Sequence, residues 1–122
     1  MPVIGVGVDL VDIARFERAM GRTPRLRGRL FAADELVRGG KALPLRSLAG
    51  RFAAKEALIK ALGQSWDIGW HDMRVVSDAH GNPAFSLEGH AAAAARDLGV
   101  ANVHVTMTHD AGMAVAFVVV ES

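Results

Sequence analysis

Between residues 3 and 10 the chain alternates, with Ile4, Val6, Val8 and Leu10 on one side and Gly5, Gly7 and Asp9 on the other. A period of two predicts a strand. Glycines along one of its faces predict that another backbone can approach closely there. The period then changes. Asp12 is suited to cap a helix from Ile13 to about Arg22, which Gly21-Arg22-Thr23-Pro24 breaks. Short helical pieces are predicted near 25–30 and 32–38, before a second break at Gly39-Gly40. The strongest helical pattern spans about Leu45 to Leu62 and stops at Gly63, a natural C-terminal cap. Ala53, Ala54, Ala57 and Ala61 cluster on one side of it, which permits close packing. Residues 73–77 and 83–87 read as strands around the turn His80-Gly81-Asn82-Pro83. Alanine-rich 89–98 reads as a helix, and 102–108 and 113–120 as a last hairpin joined near Asp110-Ala111-Gly112. The order β, several helices, ββ, α, ββ has hairpins and no regular βαβ alternation, so the predicted class is α+β. A length of 122 residues predicts a single domain over 1–122.

Composition narrows the possibilities. Hydrophobic residues make up 51%, enough for a small core. A net charge of +1 argues against a broad polyanion-binding field, and hence against nucleic acid as a partner. The charge is uneven, however. From Arg15 to Arg46 run Arg15, Arg18, Arg22, Arg25, Arg27, Arg29, Arg38, Lys41 and Arg46, against Glu17, Asp34 and Glu35. Such a segment attracts an acidic partner surface, although each arginine taken singly reads first as part of a solvated helix face. The absence of cysteine excludes disulfides, zinc–thiolate sites and thiol nucleophiles. No apolar run approaches the ~20 residues of a membrane span. Met-Pro-Val-Ile-Gly-Val has no basic region before its apolar stretch, so it reads as a strand, not a secretory signal, and the cytoplasm is the expected compartment.

Three positions stand out chemically. Asp9 lies among Val8, Leu10 and Val11, where a carboxylate is costly unless paired or bound to a metal. It reads as a strand-end cap, a partner of a basic side chain, or a metal ligand. Glu56 shares a helix side with Phe52, Ile59 and Lys60, and four-residue spacing allows an ion pair with Lys60 worth about 0.3–0.5 kcal/mol. Together the two carboxylates offer hard oxygen ligands suited to magnesium, which takes one or two carboxylates plus waters and phosphate oxygens. A lysine, an arginine and a histidine nearby suit a polyphosphate. His109 ends an alternating strand in Thr106-Met107-Thr108-His109-Asp110, at a junction a ligand can reach. His71, His80, His90 and His104 read as surface or loop residues. No glycine-rich phosphate loop and no nucleophile elbow occurs. A nucleotide- or protein-binding module without catalysis, and another magnesium-dependent phosphoryl or nucleotidyl enzyme, are the competing classes.

Four blocks, in order and covering essentially the whole chain, carry a resemblance. They are Ile4-Gly5-Val6-Gly7-Val8-Asp9-Leu10-Val11-Asp12-Ile13 with Arg15 and Phe16; Phe31 with Glu35; Leu48-Ala49-Gly50-Arg51-Phe52-Ala53-Ala54-Lys55-Glu56-Ala57 through Lys60-Ala61-Leu62-Gly63; and His104-Val105-Thr106-Met107-Thr108-His109 running into Ala114-Val115-Ala116. The sequence resembles the holo-acyl-carrier-protein synthases, the small bacterial phosphopantetheinyl transferases. The resemblance implies a small antiparallel sheet packed on a long central helix, assembled as a homotrimer with active sites at subunit interfaces. It implies transfer of 4′-phosphopantetheine from coenzyme A to a serine of apo-acyl carrier protein in fatty acid biosynthesis. Asp9 and Glu56 are then expected to bind magnesium, and Lys60 to contact the phosphates. Arg51, Lys60, Thr108 and His109 are expected to hold coenzyme A. Arg15, Arg18 and Arg22 are expected to dock the acidic carrier. Asp12, Thr106 and Asn82 depart from the residues common in the family, which are glutamate, serine and a basic residue.

Overall fold

The computed structural model describes residues 2–63 and 67–122. The long helical pattern forms one helix, and every strand predicted from alternation is present. Strand β1 is Val3–Asp12, followed by helices α1 (Ile13–Arg22) and α2 (Leu26–Leu30). A single 3-10 turn, Ala33–Glu35, leads into the short strands β2 (Val37–Arg38) and β3 (Lys41–Ala42). Helix α3 is Leu45–Leu62. After a 3-10 turn at Trp70–Asp72 come β4 (Met73–Ser77), β5 (Pro83–Leu87), α4 (Gly89–Leu98), β6 (Asn102–Asp110) and β7 (Met113–Glu121). The helical piece expected over 32–38 is thus a correction. Gly39 and Gly40, both at positive φ, turn the chain back on itself, so Val37 and Arg38 pair with Ala42 and Lys41.

Strands β1, β7 and β6 form one antiparallel sheet in that order, and β4–β5 and β2–β3 are separate hairpins. Ala111 and Gly112, both at positive φ, make the two-residue turn between β6 and β7. Its Gly112 carbonyl accepts the Ile13 amide at 3.0 Å, while Asp12 caps α1 by accepting from the Arg15 amide at 3.1 Å. The junction of β1 and α1 is therefore held from two sides.

The inner face of the sheet carries Ala114, Ala116, Val118 and Val120 from β7 and the glycines of β1, and α3 lies against it. The approach is as close as the glycine face predicts. A Cβ added to Gly7 would stand 1.9 Å from the Ala57 carbonyl oxygen, and one added to Gly5 would stand 2.1 Å from that of Ala61. Ala53, Ala54 and Ala57 are fully buried at this contact. The apolar side of β1 points outward instead. Val6, Val8 and Leu10 are 55%, 53% and 60% exposed, and Phe117 of β7 lies exposed beside Val8.

Under the other flank of α3 lies a buried ion pair. Lys55 Nζ donates to Glu35 Oε1 at 2.8 Å, to the Leu30 carbonyl at 2.7 Å and to the Trp70 carbonyl at 2.9 Å. Glu35 also accepts from the backbone amides of Ala32 and Val75. All three ammonium protons and both carboxylate oxygens are satisfied, as a buried charge requires. The pair ties α2, the first 3-10 turn, α3, the second 3-10 turn and β4 into one unit. Burial pulls the Lys55 ammonium below its usual value, and the bond to Glu35 opposes that shift.

Candidate active site

The contact between glycines and alanines brings the two candidate carboxylates together. Asp9 follows Gly5 and Gly7 on the inner face of β1, and Glu56 sits one residue before Ala57 on α3. Both line one cavity of about 730 Å³, whose other walls are Phe16, Leu26, Leu30, Phe52, Trp70 and Met113. Arg15 and Arg29 also border it. Aromatic packing runs along this wall, with Phe52 between Phe16 and Trp70 at ring-centroid distances of 5.6 Å each.

The electrostatics reflect this meeting. Partial burial, and then the nearby Asp9 charge, push the Glu56 carboxyl above the usual carboxylate range, and Lys60 opposes them. Lys60 does not bond to Glu56 along the helix, as four-residue spacing suggests. It crosses to β1, donating to Asp9 Oδ1 at 3.1 Å and to the Val8 carbonyl at 3.0 Å. Asp9 is 16% exposed and Lys60 54%, so this pair stands at the cavity rim, open to a ligand.

Of the other residues expected to hold coenzyme A, Arg51, Thr108 and His109 lie away from this cavity. Arg51 is buried, donating from Nη1 to the carbonyls of Glu35 at 2.8 Å and Val75 at 3.2 Å. With His109 it lines a second cleft of about 370 Å³, together with Asn82, Pro83, Thr106 and Met107. His109 also stands over α3, where a Cβ added to Gly50 would lie 3.5 Å from its Nε2. Thr108 lies beside Val115, next to Leu10, on the outer face, so it and His109 point to opposite sides of the sheet. Arg15, Arg18 and Arg22 are all exposed on α1, at the three- and four-residue spacing that aligns them on one face. Of the remaining histidines, His71 contacts the Gly28 carbonyl and His104 pairs with Glu121, both at the surface. The buried Glu35–Lys55 pair escaped the sequence reading, although a charged residue at an otherwise alanine-lined helix position is its signal.

The 4′-phosphopantetheinyl transferase superfamily matches residues 5–116. The chain belongs to this family. It is 55% identical over 119 residues to the holo-[acyl-carrier-protein] synthase of Leifsonia xyli, covering 98% of this chain and 97% of the relative. It is 49% identical over 122 residues to the synthase of the same name from Streptomyces coelicolor, covering 99% of each. Among solved transferase structures, the holo-[acyl-carrier-protein] synthase of Neisseria meningitidis aligns with a TM-score of 0.86 at 31% identity, over 99% of this chain and 100% of the other. The Helicobacter pylori synthase in complex with coenzyme A aligns with a TM-score of 0.81 at 28% identity, over 95% and 99%.

Proposed function

We propose that this transferase moves the 4′-phosphopantetheine of coenzyme A to a serine of apo-acyl carrier protein. The observation that carries the reading is the placement of Asp9 and Glu56 on one cavity, with Lys60 anchored at its rim. The carrier serine hydroxyl gives its proton to Glu56 or to a water, and its oxygen attacks the β-phosphorus of coenzyme A. The bond to the departing phosphate breaks, releasing adenosine 3′,5′-bisphosphate. A carboxyl held above its usual range is better matched to a hydroxyl proton than an ordinary glutamate. Lys60 is placed to turn from Asp9 to the phosphates and offset charge on the leaving group.

Asp9 and Glu56 would hold magnesium. Magnesium needs no more than one or two carboxylates, because it completes its shell with water and substrate oxygens. The mutual repulsion of the two carboxylates is also what a divalent cation relieves. Bound there, the ion supplies charge neutralisation at the pyrophosphate.

Arg15, Arg18 and Arg22 would dock the acidic carrier, and Arg15 stands at the cavity itself. The separation of the Asp9–Glu56 cavity from the Arg51–His109 cleft supports a site completed by a neighbouring subunit. The exposed apolar strip of Val6, Val8, Leu10 and Phe117 supports burial of this sheet face in a homotrimer. This reading places the enzyme in the cytoplasm, in fatty acid biosynthesis.

Incubation with coenzyme A, magnesium and apo-carrier tests the activity by mass spectrometry. The carrier should gain the mass of phosphopantetheine, and no gain with several carriers would favour a binding module. Light scattering tests the assembly: three times the 12.9 kDa chain mass is expected, and a monomer would overturn it.

A further inference from the structure

Helix α2 is too short to hold itself. It has five residues, Leu26–Leu30, with Gly28 in the middle. A helix of that length is marginal in water, and an interior glycine weakens it further. Among the described residues no side chain caps its start. Its own bonds are few. The Arg29 amide donates to the Arg25 carbonyl at 3.2 Å, and the Phe31 amide donates to the Arg27 carbonyl at 3.1 Å. The carbonyls at the end of a helix lack partners within it and must find them elsewhere.

Two of those carbonyls are taken by side chains from other parts of the fold. Lys55 Nζ donates to the Leu30 carbonyl from the buried side at 2.7 Å. His71 Nε2 meets the Gly28 carbonyl from the exposed side, also at 2.7 Å. A carbonyl only accepts, so Nε2 carries the proton and donates. His71 lies in the 3-10 turn Trp70–Asp72, which is anchored on both sides of it. The Trp70 carbonyl accepts from Lys55 at 2.9 Å, and the Trp70 ring packs on Phe52. Asp72 Oδ2 accepts the Gly69 and His90 amides at 3.2 Å each. The imidazole is thus the arm of a fixed bracket that reaches α2. What it steadies is a wall of the site, because Leu26, Arg29 and Leu30 line the Asp9–Glu56 cavity together with Arg15. The Gly28 carbonyl and the Arg29 amide belong to one planar peptide unit, so the bond to His71 fixes the plane from which Arg29 departs.

We propose that His71 is a positioning residue for the carrier substrate: its hydrogen bond to the Gly28 carbonyl keeps α2 folded and holds Arg29 at the cavity beside Arg15. This rests on an acidic carrier protein being the acceptor. His71 acts through α2 and not on the reacting atoms. An acidic partner then meets a guanidinium already in place, and ordering α2 is not charged against binding. Arg51 and His109 line a separate cleft, so loosening α2 spares the hold on coenzyme A.

The test separates the two substrates. His71→Ala should raise KM for apo-carrier about fivefold, the size of one hydrogen bond, and leave kcat and KM for coenzyme A within about a factor of two. His71→Gln, whose side-chain amide can donate from a similar position, should recover most of the loss. His71 is exposed, so neither replacement disturbs the core. Equal rises in both KM values, a fall in kcat alone, no change, or a glutamine variant no better than the alanine one would overturn the proposal while leaving the transferase reading in place. A second measurement requires no transfer. Hydrogen exchange at the Arg29 and Phe31 amides should quicken about fivefold in His71→Ala and slow again in His71→Gln, while the amides of α3 keep their protection. Unchanged exchange in α2, or faster exchange along the whole chain, would also overturn it. If the unaltered protein modifies no carrier, the transferase reading fails separately, and exchange still decides whether His71 holds α2.

Discussion

Helix α3 carries two lysine–carboxylate pairs that look alike on paper and behave differently. Lys55 and Glu35 are 0% and 1% exposed and have every polar atom satisfied by protein. Lys60 and Asp9 sit at a cavity rim, with Glu56 beside them pushed toward its protonated form. The first pair is closed, and a ligand has nothing left to bind. The second is open, holding like charges together at a solvent-facing wall. Burial and completeness of hydrogen bonding, not residue type, separate a structural ion pair from a reactive one.

The largest expected effect attacks the closed pair. Lys55→Met leaves Glu35 buried without its partner, which costs about 3–5 kcal/mol. Urea denaturation reads this as a lowered midpoint, and a loss below about 1 kcal/mol would erase the contrast. The open pair should respond in the opposite currency. Asp9→Asn should lower transfer on the order of 10²–10³-fold, as loss of one group that stabilises charge does. Its stability should change by less than about 1 kcal/mol, since exposed pairs contribute little.

The glycine contact joins the two kinds of effect. Gly7→Ala forces a methyl group into the Ala57 carbonyl, where the backbone must shift. A stability loss of about 1–3 kcal/mol is expected, together with reduced transfer, because Asp9 moves relative to Glu56. Wild-type stability with wild-type transfer would mean that this contact does not set the site. The smallest effect is a gain. The Glu56 carboxyl lies above its unfolded value in the folded state, so the folded protein binds the proton more tightly. Glutamate therefore costs stability at pH values above the folded-state value, and that cost disappears below the unfolded one. Glu56→Gln should raise Tm slightly at neutral pH while abolishing transfer, with the gain vanishing in acid. A constant gain across pH would show that charge is not its source.

Much of the fold was legible because its signals are local. Alternation, caps and turn residues located β1, α1, α3, both later hairpins and α4 to within a few residues. The piece at 32–38 was misread because hydrophobic spacing says nothing of the Gly39-Gly40 reversal that pairs Val37 with Ala42. The meeting of Asp9 and Glu56 was legible too, since glycines facing alanines leave room for only one close approach.

Partner choice was not legible. Four-residue spacing offered Lys60 to Glu56, but the close approach of β1 placed Asp9 and the Val8 carbonyl within its reach instead. Lys55 finds its ligands fifteen or more positions away, at Trp70, Glu35 and Leu30. The sequence by itself determined which segments are helix and strand and which residues are able to carry chemistry, because those properties depend on near neighbours. Only the tertiary structure decided which charges are sealed and which are open, and which partner each lysine takes. Those outcomes depend on dielectric surroundings and on contacts between distant parts of the chain.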